Sequence, residues 1–237
     1  MLRCEILDVQ GFSPAIHGMR NPKNSWDKSD SFNCKIYGED CDFCKYNYLQ
    51  CSNYYIGEND LKLMKALFNA GTEHRKYDRM IQVWMDIEAP LYWWKEFDTY
   101  KIGTVANSCS TMHKIAEKEF TVDDFSHEHL NYSFISDDGE EEPVEFEEYY
   151  LASQDVLDIT IRALNHYREL YLKTKDKKYW WQLIQLLPSS YNQKRTVMMN
   201  YEVIARIIEQ RSHHKLDEWH QLIDVLGGLP YMQELMK

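Results

Sequence analysis

The segment from Met80 to Ile115 constrains the fold more than any other stretch of the chain. From Met80 to Ile87 apolar and polar residues alternate, the period of a strand with one face in a core. Ala89-Pro90 closes this strand, because proline has no N–H to give to a ladder. Five large apolar residues follow (Leu91, Tyr92, Trp93, Trp94 and Phe97) and require a surface to pack on. Thr99-Tyr100-Lys101-Ile102-Gly103-Thr104-Val105 then leads into the small polar cluster Asn107-Ser108-Cys109-Ser110-Thr111, which suits close approach of backbone to a ligand. A helix is predicted from Thr104 to Phe120.

Elsewhere the pattern is mixed. Cys4–Val9 reads as a first strand, and Pro14 opens a short helix or turn. Asp60 is a plausible N-cap for a helix through Leu61, Met64, Leu67 and Phe68, ended by Gly71. Thr121 reads as the cap of a short helix through Phe125. Ser153 opens a long helix to about Lys173, with Val156, Ile159, Ile161, Leu164, Tyr167, Leu170 and Tyr171 on its buried side. Asp176 caps the next helix, stopped by Pro188. Residues 189–195 read as a polar loop, and Thr196–Asn200 as the entry to a last long helix reaching about Leu226. The pairs Trp93-Trp94 and Trp180-Trp181 either stack on a flavin or base or are core or subunit interface, and His213-His214 either bracket a phosphate beside Arg211 or form a solvated helix face. Together this predicts an α+β chain, residues 1–237 forming a single domain. Residues 28–57 are expected to be an irregular cysteine-containing insertion and residues 137–150 an acidic loop.

Net charge narrows the function. Lys+Arg number 27 against Asp+Glu 38, giving −11, which argues against DNA, RNA or anionic-membrane partners. A local cationic pocket for a small phosphate ligand is still compatible with it. No apolar run is long enough to cross a bilayer and the N-terminus has no signal-peptide core, so the expected compartment is the cytoplasm. There the six cysteines are thiols or metal ligands rather than disulfides. Cys34, Cys41, Cys44 and Cys51 are spaced C-x6-C-x2-C-x6-C. They either hold a structural zinc or are unligated thiols of a packed insertion.

Ile87 to Ile115, laid ungapped, resembles the signature region of the flavin-dependent thymidylate synthases (the ThyX family). Leu187-Pro188, Asn200 and Arg211 fall at that family's spacing, and Ser25-Trp26-Asp27 resembles its opening. The resemblance covers most of the chain outside residues 28–57 and the acidic loop. It implies a ThyX-like fold, a central mostly antiparallel sheet flanked by long helices. It also implies a homotetramer binding FAD and a dUMP-like pyrimidine nucleotide, with folate as one-carbon donor and NADPH as reductant.

Residue by residue, the resemblance implies that His74 lies near the flavin. The cofactor would touch Ser25, Tyr100, Lys101 and Asn200, and the substrate Glu96, Asn107, Ser110 and Arg211. The signature itself departs from the family pattern. Thr99-Tyr100-Lys101 replace Arg-His-Arg, and Thr104, Ala106-Asn107, Cys109 and Thr111 replace Ser, Asn-Glu, Ser and Arg. Glu96 replaces a Gln, while Ile184 and Glu202 each replace an Arg. Losing several oxyanion donors weakens phosphate binding, since each charge-assisted hydrogen bond contributes roughly 1.5–3 kcal/mol. Either the ligand differs or the site is rebuilt. Around His74, the residues Arg75, Lys76 and Arg79 either take over phosphate contacts or form a solvated basic loop tip. Cys109 is either a nucleophile, its thiolate adding to C6 of a uracil ring to activate C5, or a small buried residue. The two functional readings are therefore a flavin-dependent pyrimidine methylating enzyme and a nucleotide-binding protein on the same scaffold. A structural oligomer is a third reading, supported by the aromatic surface.

Overall fold

A computed structural model describes residues 2–34, 53–135, 141–142 and 151–237. They form strands Arg3–Gln10 (β1), Phe32–Asn33 (β2), Tyr54–Tyr55 (β3), Gln82–Pro90 (β4), Thr104–Ser108 (β5), Phe134–Ile135 (β6), Glu141–Glu142 (β7) and Asn192–Asn200 (β8). The helices are Phe12–Arg20 (α1), Glu58–Asn69 (α2), Leu91–Phe97 (α3), Ser153–Thr174 (α4), Lys177–Leu186 (α5), Tyr201–Arg211 (α6), Asp217–Gly227 (α7) and Met232–Met236 (α8). The α+β expectation holds, with an antiparallel sheet. The described chain falls into two compact units. A sheet unit comprises Leu2–Ile87, Phe97–Asn107 and Arg195–Lys237, and a hairpin unit Glu88–Glu96 and Ser108–Lys194.

The sheet unit carries the four-stranded sheet, order β1-β4-β8-β5. In β4 the predicted alternation is realised. Val83, Met85 and Ile87 are fully buried while the residues between them are half-exposed. β8 repeats the rule with Val197 and Met199 inward. Helix α6 then buries Tyr201, Val203, Ile204, Ala205 and Ile207. Phe12 of α1 meets the rings of Tyr201 and Tyr231 edge-on at 5.5 and 5.8 Å.

The hairpin unit is built on α4 and α5. Its core is Ile115, Ala116, Phe120, Phe125, Leu157, Leu164 and Leu183. Trp93 and Trp94 are buried, and the Trp94 indole donates to Gln193 O at 2.9 Å. Thr121 is the predicted cap, and with Asp124 it forms a capping box on a single 3-10 turn, Val122–Asp124. Asp176 caps α5 by accepting from the Lys178 N–H at 3.0 Å.

Several expectations are corrected. Residues 104–108 are strand, not the start of a helix. Gly103 turns the chain at φ +80, and the β-branched Thr104 and Val105 join the sheet edge. Residues 192–200 are the strand β8 rather than loop and helix entry, and the predicted long final helix is α6, a turn, and α7. Asp60 is not a cap: Gly57 precedes α2, and Asp60 is buried in the first turn. On α4 the buried side chains are Gln154, Leu157 and Leu164, while Val156 and Ile159 are exposed. Within residues 28–57, β2 and β3 pair antiparallel, Phe32 opposite Tyr55. Cys41, Cys44 and Cys51 lie outside the described residues, as do most of residues 137–150. Among the described residues no helix is long and apolar enough to cross a membrane.

Candidate functional site

The signature-like segment lines a cavity of about 310 Å³ in the sheet unit, bordered by Phe97, Asp98, Tyr100, Lys101, Thr104 and Ala106. Two features give it chemistry. Lys101 is exposed and has no ion pair among the described residues. The Thr104 hydroxyl oxygen is buried without a hydrogen-bond partner among them. Asp98 is already neutralised by Arg195, Oδ1 to Nη1 at 2.8 Å. Sequence reading missed Phe97, Asp98 and Thr104 as lining residues; the one signal for Thr104 was its hydroxyl at the place of the signature's first Ser.

Tyr100, expected at a cofactor, is buried. Its hydroxyl donates to Gln210 Oε1 at 3.1 Å and accepts from Arg211 Nε at 3.0 Å. The Arg211 guanidinium, expected at substrate, lies 4.5 Å over the Trp219 ring. The structure thus joins Tyr100 and Arg211 to each other, and both pack within the sheet unit. Asn200 is buried and caps α6, its Oδ1 accepting from the Val203 N–H at 3.0 Å. Its Nδ2 approaches Gly103 so closely that a Cβ there would stand 2.4 Å away. Gly103→Ala is therefore expected to cost more than the roughly 1–2 kcal/mol of a left-handed non-glycine residue. A thermal melt within a degree of wild type would contradict this.

The basic cluster is partly self-neutralised. Arg79 makes a two-pronged pair with Glu202, its Nη2 donating at 3.0 Å and its Nε donating to the other oxygen. Glu202 occupies a place where the ThyX resemblance has an arginine, so the charge there is reversed and matched. Arg75 donates from Nε to Phe68 O at 2.7 Å, and its guanidinium lies 4.0 Å over the Phe68 ring. His74 and Lys76 are exposed. Ser25 is buried, its carbonyl accepting from Arg20 Nη1 at 3.2 Å. Asn107 is exposed on β5.

Glu96, Cys109 and Ser110 belong to the hairpin unit. Cys109 is exposed, not a small buried residue. Its N–H donates to Lys194 O at 2.9 Å and its carbonyl accepts from Gln193 Nε2 at 2.8 Å. The Ser110 hydroxyl accepts from the His113 N–H at 3.1 Å. Cys34 is placed beside Asn53, whose carbonyl accepts its N–H at 2.9 Å. No group of three or more His, Cys, Asp or Glu is positioned to hold a metal among the described residues.

This arrangement of elements defines a ThyX-like fold. It superimposes on thymidylate synthase X from Helicobacter pylori, solved with FAD and dUMP, with a TM-score of 0.63 at 16% identity, over 100% of this chain and 98% of that one. The UMP/dUMP methylase PolB from Streptomyces cacaoi, bound with 5-Br UMP, gives a TM-score of 0.56 at 13% identity, over 99% of this chain and 93% of that one. No family profile and no curated protein sequence matches the chain. At these identities the likeness establishes the fold.

Proposed function

We propose that the chain is a pyrimidine-nucleotide-binding protein on the ThyX scaffold, its pocket the cavity along residues 97–106. The observation that carries this reading is the exposed Lys101, without an ion pair among the described residues, in a cavity whose wall includes Thr104, the hydroxyl of which is buried just behind it and unpartnered among those residues. A buried hydroxyl without a partner is unfavourable until something bonds to it. A small shift of the Thr104 side chain toward the cavity would let a ring edge or sugar oxygen do so, while Lys101 takes the phosphate. The size suits a mononucleotide, near the lower end of the range for ligand pockets. The neighbouring folds solved with dUMP and 5-Br UMP support the ligand class.

Calorimetric titration with dUMP and UMP tests this reading. Lys101→Gln is expected to weaken binding about tenfold, the worth of one charge-assisted contact. Absence of binding by both nucleotides would overturn the reading.

Flavin-dependent one-carbon transfer is the second reading, favoured by the exposed Cys109 thiol and by the FAD in the Helicobacter structure. Lys101, matched to a flavin contact, and Lys76 of the basic cluster are exposed cations that would hold its phosphates. Arg79 would join them on leaving Glu202. Ser25, Tyr100 and Asn200 are buried and bonded within the chain, so the fit is partial and the nucleotide reading ranks first. Bound flavin would supply the reducing equivalents, and a thiol such as that of Cys109 has the chemistry of a nucleophile toward a pyrimidine ring. Absorbance of the purified protein near 450 nm, before and after incubation with FAD, separates the two readings.

A further inference from the structure

We infer that the turn joining α4 to α5 forms a separate binding site for a planar aromatic anion about the size of a nucleoside monophosphate. The hairpin unit carries an open cleft of about 350 Å³ there, lined by Met112, His113, Tyr171, Lys175, Lys177 and Trp180. It shares no residue with the cavity along residues 97–106.

The turn presents two cations that no carboxylate neutralises among the described residues. Lys175 closes α4 in the left-handed conformation, φ 58 and ψ 13. Glycine commonly fills this position because it has no Cβ to clash. Here a long cationic side chain is kept instead, and the Lys175 N–H donates to Tyr171 O at 2.8 Å. The carboxylate between the two lysines is already committed. Asp176 accepts from the Lys178 N–H and pairs with Lys178 Nζ at 3.2 Å. Lys175 and Lys177 are consequently without a carboxylate partner among the described residues. In a chain of net charge −11, such a pair beside a cavity marks a place for an external anion.

The rings supply the other half of the recognition. The Trp180 indole N–H donates to Met112 O at 3.1 Å, which fixes its plane in the cavity wall. Lys175 Nζ lies 5.7 Å from the Tyr171 ring centroid and Lys177 Nζ 6.0 Å from that of Trp180. Each cation rests over a ring, Lys177 also over Trp181 at 5.5 Å, and a ligand ring taking its place on Tyr171 or Trp180 would leave the cation free to swing to the ligand's anionic end. An inorganic anion would leave the rings uncovered, and a neutral ring would leave the cations uncompensated.

Calorimetric titration of the full chain with AMP, adenosine and inorganic phosphate tests this. AMP is expected to bind, with adenosine and phosphate each at least about tenfold weaker. Lys175→Gln with Lys177→Gln is expected to weaken AMP binding about tenfold or more, and Trp180→Phe to remove the tryptophan quenching that AMP causes. Lys101→Gln is expected to leave AMP binding unchanged, so loss of the first site and loss of this one are distinguishable. No AMP binding, or phosphate binding as tightly as AMP, would overturn the inference. So would AMP binding that survives the double lysine change and disappears with Lys101→Gln.

Discussion

Between pH 5 and pH 8 the protein is expected to lose about 2–3 kcal/mol of stability that the Asp78→Asn variant retains. Asp78 lies in the 3-10 turn Arg75–Met80 and is fully buried. Both its carboxylate oxygens are without a hydrogen-bond partner among the described residues. Burial pushes its carboxyl up to about 7, because a charge without donors is poorly solvated in the interior. Tyr77 and the Arg75 cation on the same turn favour the charged form, and Glu202 of α6 opposes it. The Tyr77 hydroxyl, however, donates to Met64 O at 2.8 Å.

The sign follows from proton counts. Above the unfolded value near 4 the unfolded chain gives up this proton, while the folded chain keeps it until about pH 7. Stability therefore falls as pH rises through that window and levels off above it. The quantity to measure is the difference between wild type and Asp78→Asn, which cancels every other contribution to the pH dependence. Urea denaturation at four pH values suffices, and parallel curves for the two proteins would refute the assignment.

Asp60→Ala is expected to cost about 3–5 kcal/mol, because it strands the buried guanidinium of Arg20. Asp60 and Arg20 form an ion pair with both side chains out of solvent. The remaining lone pairs of Asp60 are occupied by Ser29 Oγ at 2.7 Å, Ser31 Oγ at 2.6 Å and the N–H groups of Asp30 and Ser31 at 3.1 and 3.2 Å. Burial raises the Asp60 carboxyl, but the hydrogen bonds from Ser31, Ser29 and Arg20 outweigh it and hold the group below its ordinary value. Its contribution is therefore present above about pH 4 and is lost only as pH falls below that. Replacing both partners, Arg20→Met with Asp60→Leu, is expected to recover much of the loss. A single-variant cost under about 1 kcal/mol would show that the pair is not the anchor of this region.

The strand β4 was legible because its alternation is carried by residues of clear polarity. Its partner β8 was not: Asn192 to Thr196 are polar, and the inward-facing Val197 and Met199 come only at the end. The tertiary setting between β4 and β5 makes that stretch a strand. The segment after Gly103 was likewise read as helix, since nothing in its local pattern announces a sheet edge. At the site, the signature positions were legible by spacing, but their partners were not. Tyr100, Arg211, Asn200 and Ser25, read from the resemblance as ligand contacts, are each also bonded inside the chain, which their spacing does not announce. Among the described residues the side chains of Lys101 and Thr104 have no such partner, and both residues line the cavity.

The reversed charge at Glu202 also limits how this chain can change. Putting back the arginine that the resemblance places at position 202 would set two guanidinium groups against each other beside Arg79. Positions 79 and 202 are therefore coupled, and the effect of altering either has to be read against the identity of the other. A route toward the arginine-rich pattern passes through a paired replacement rather than a single step.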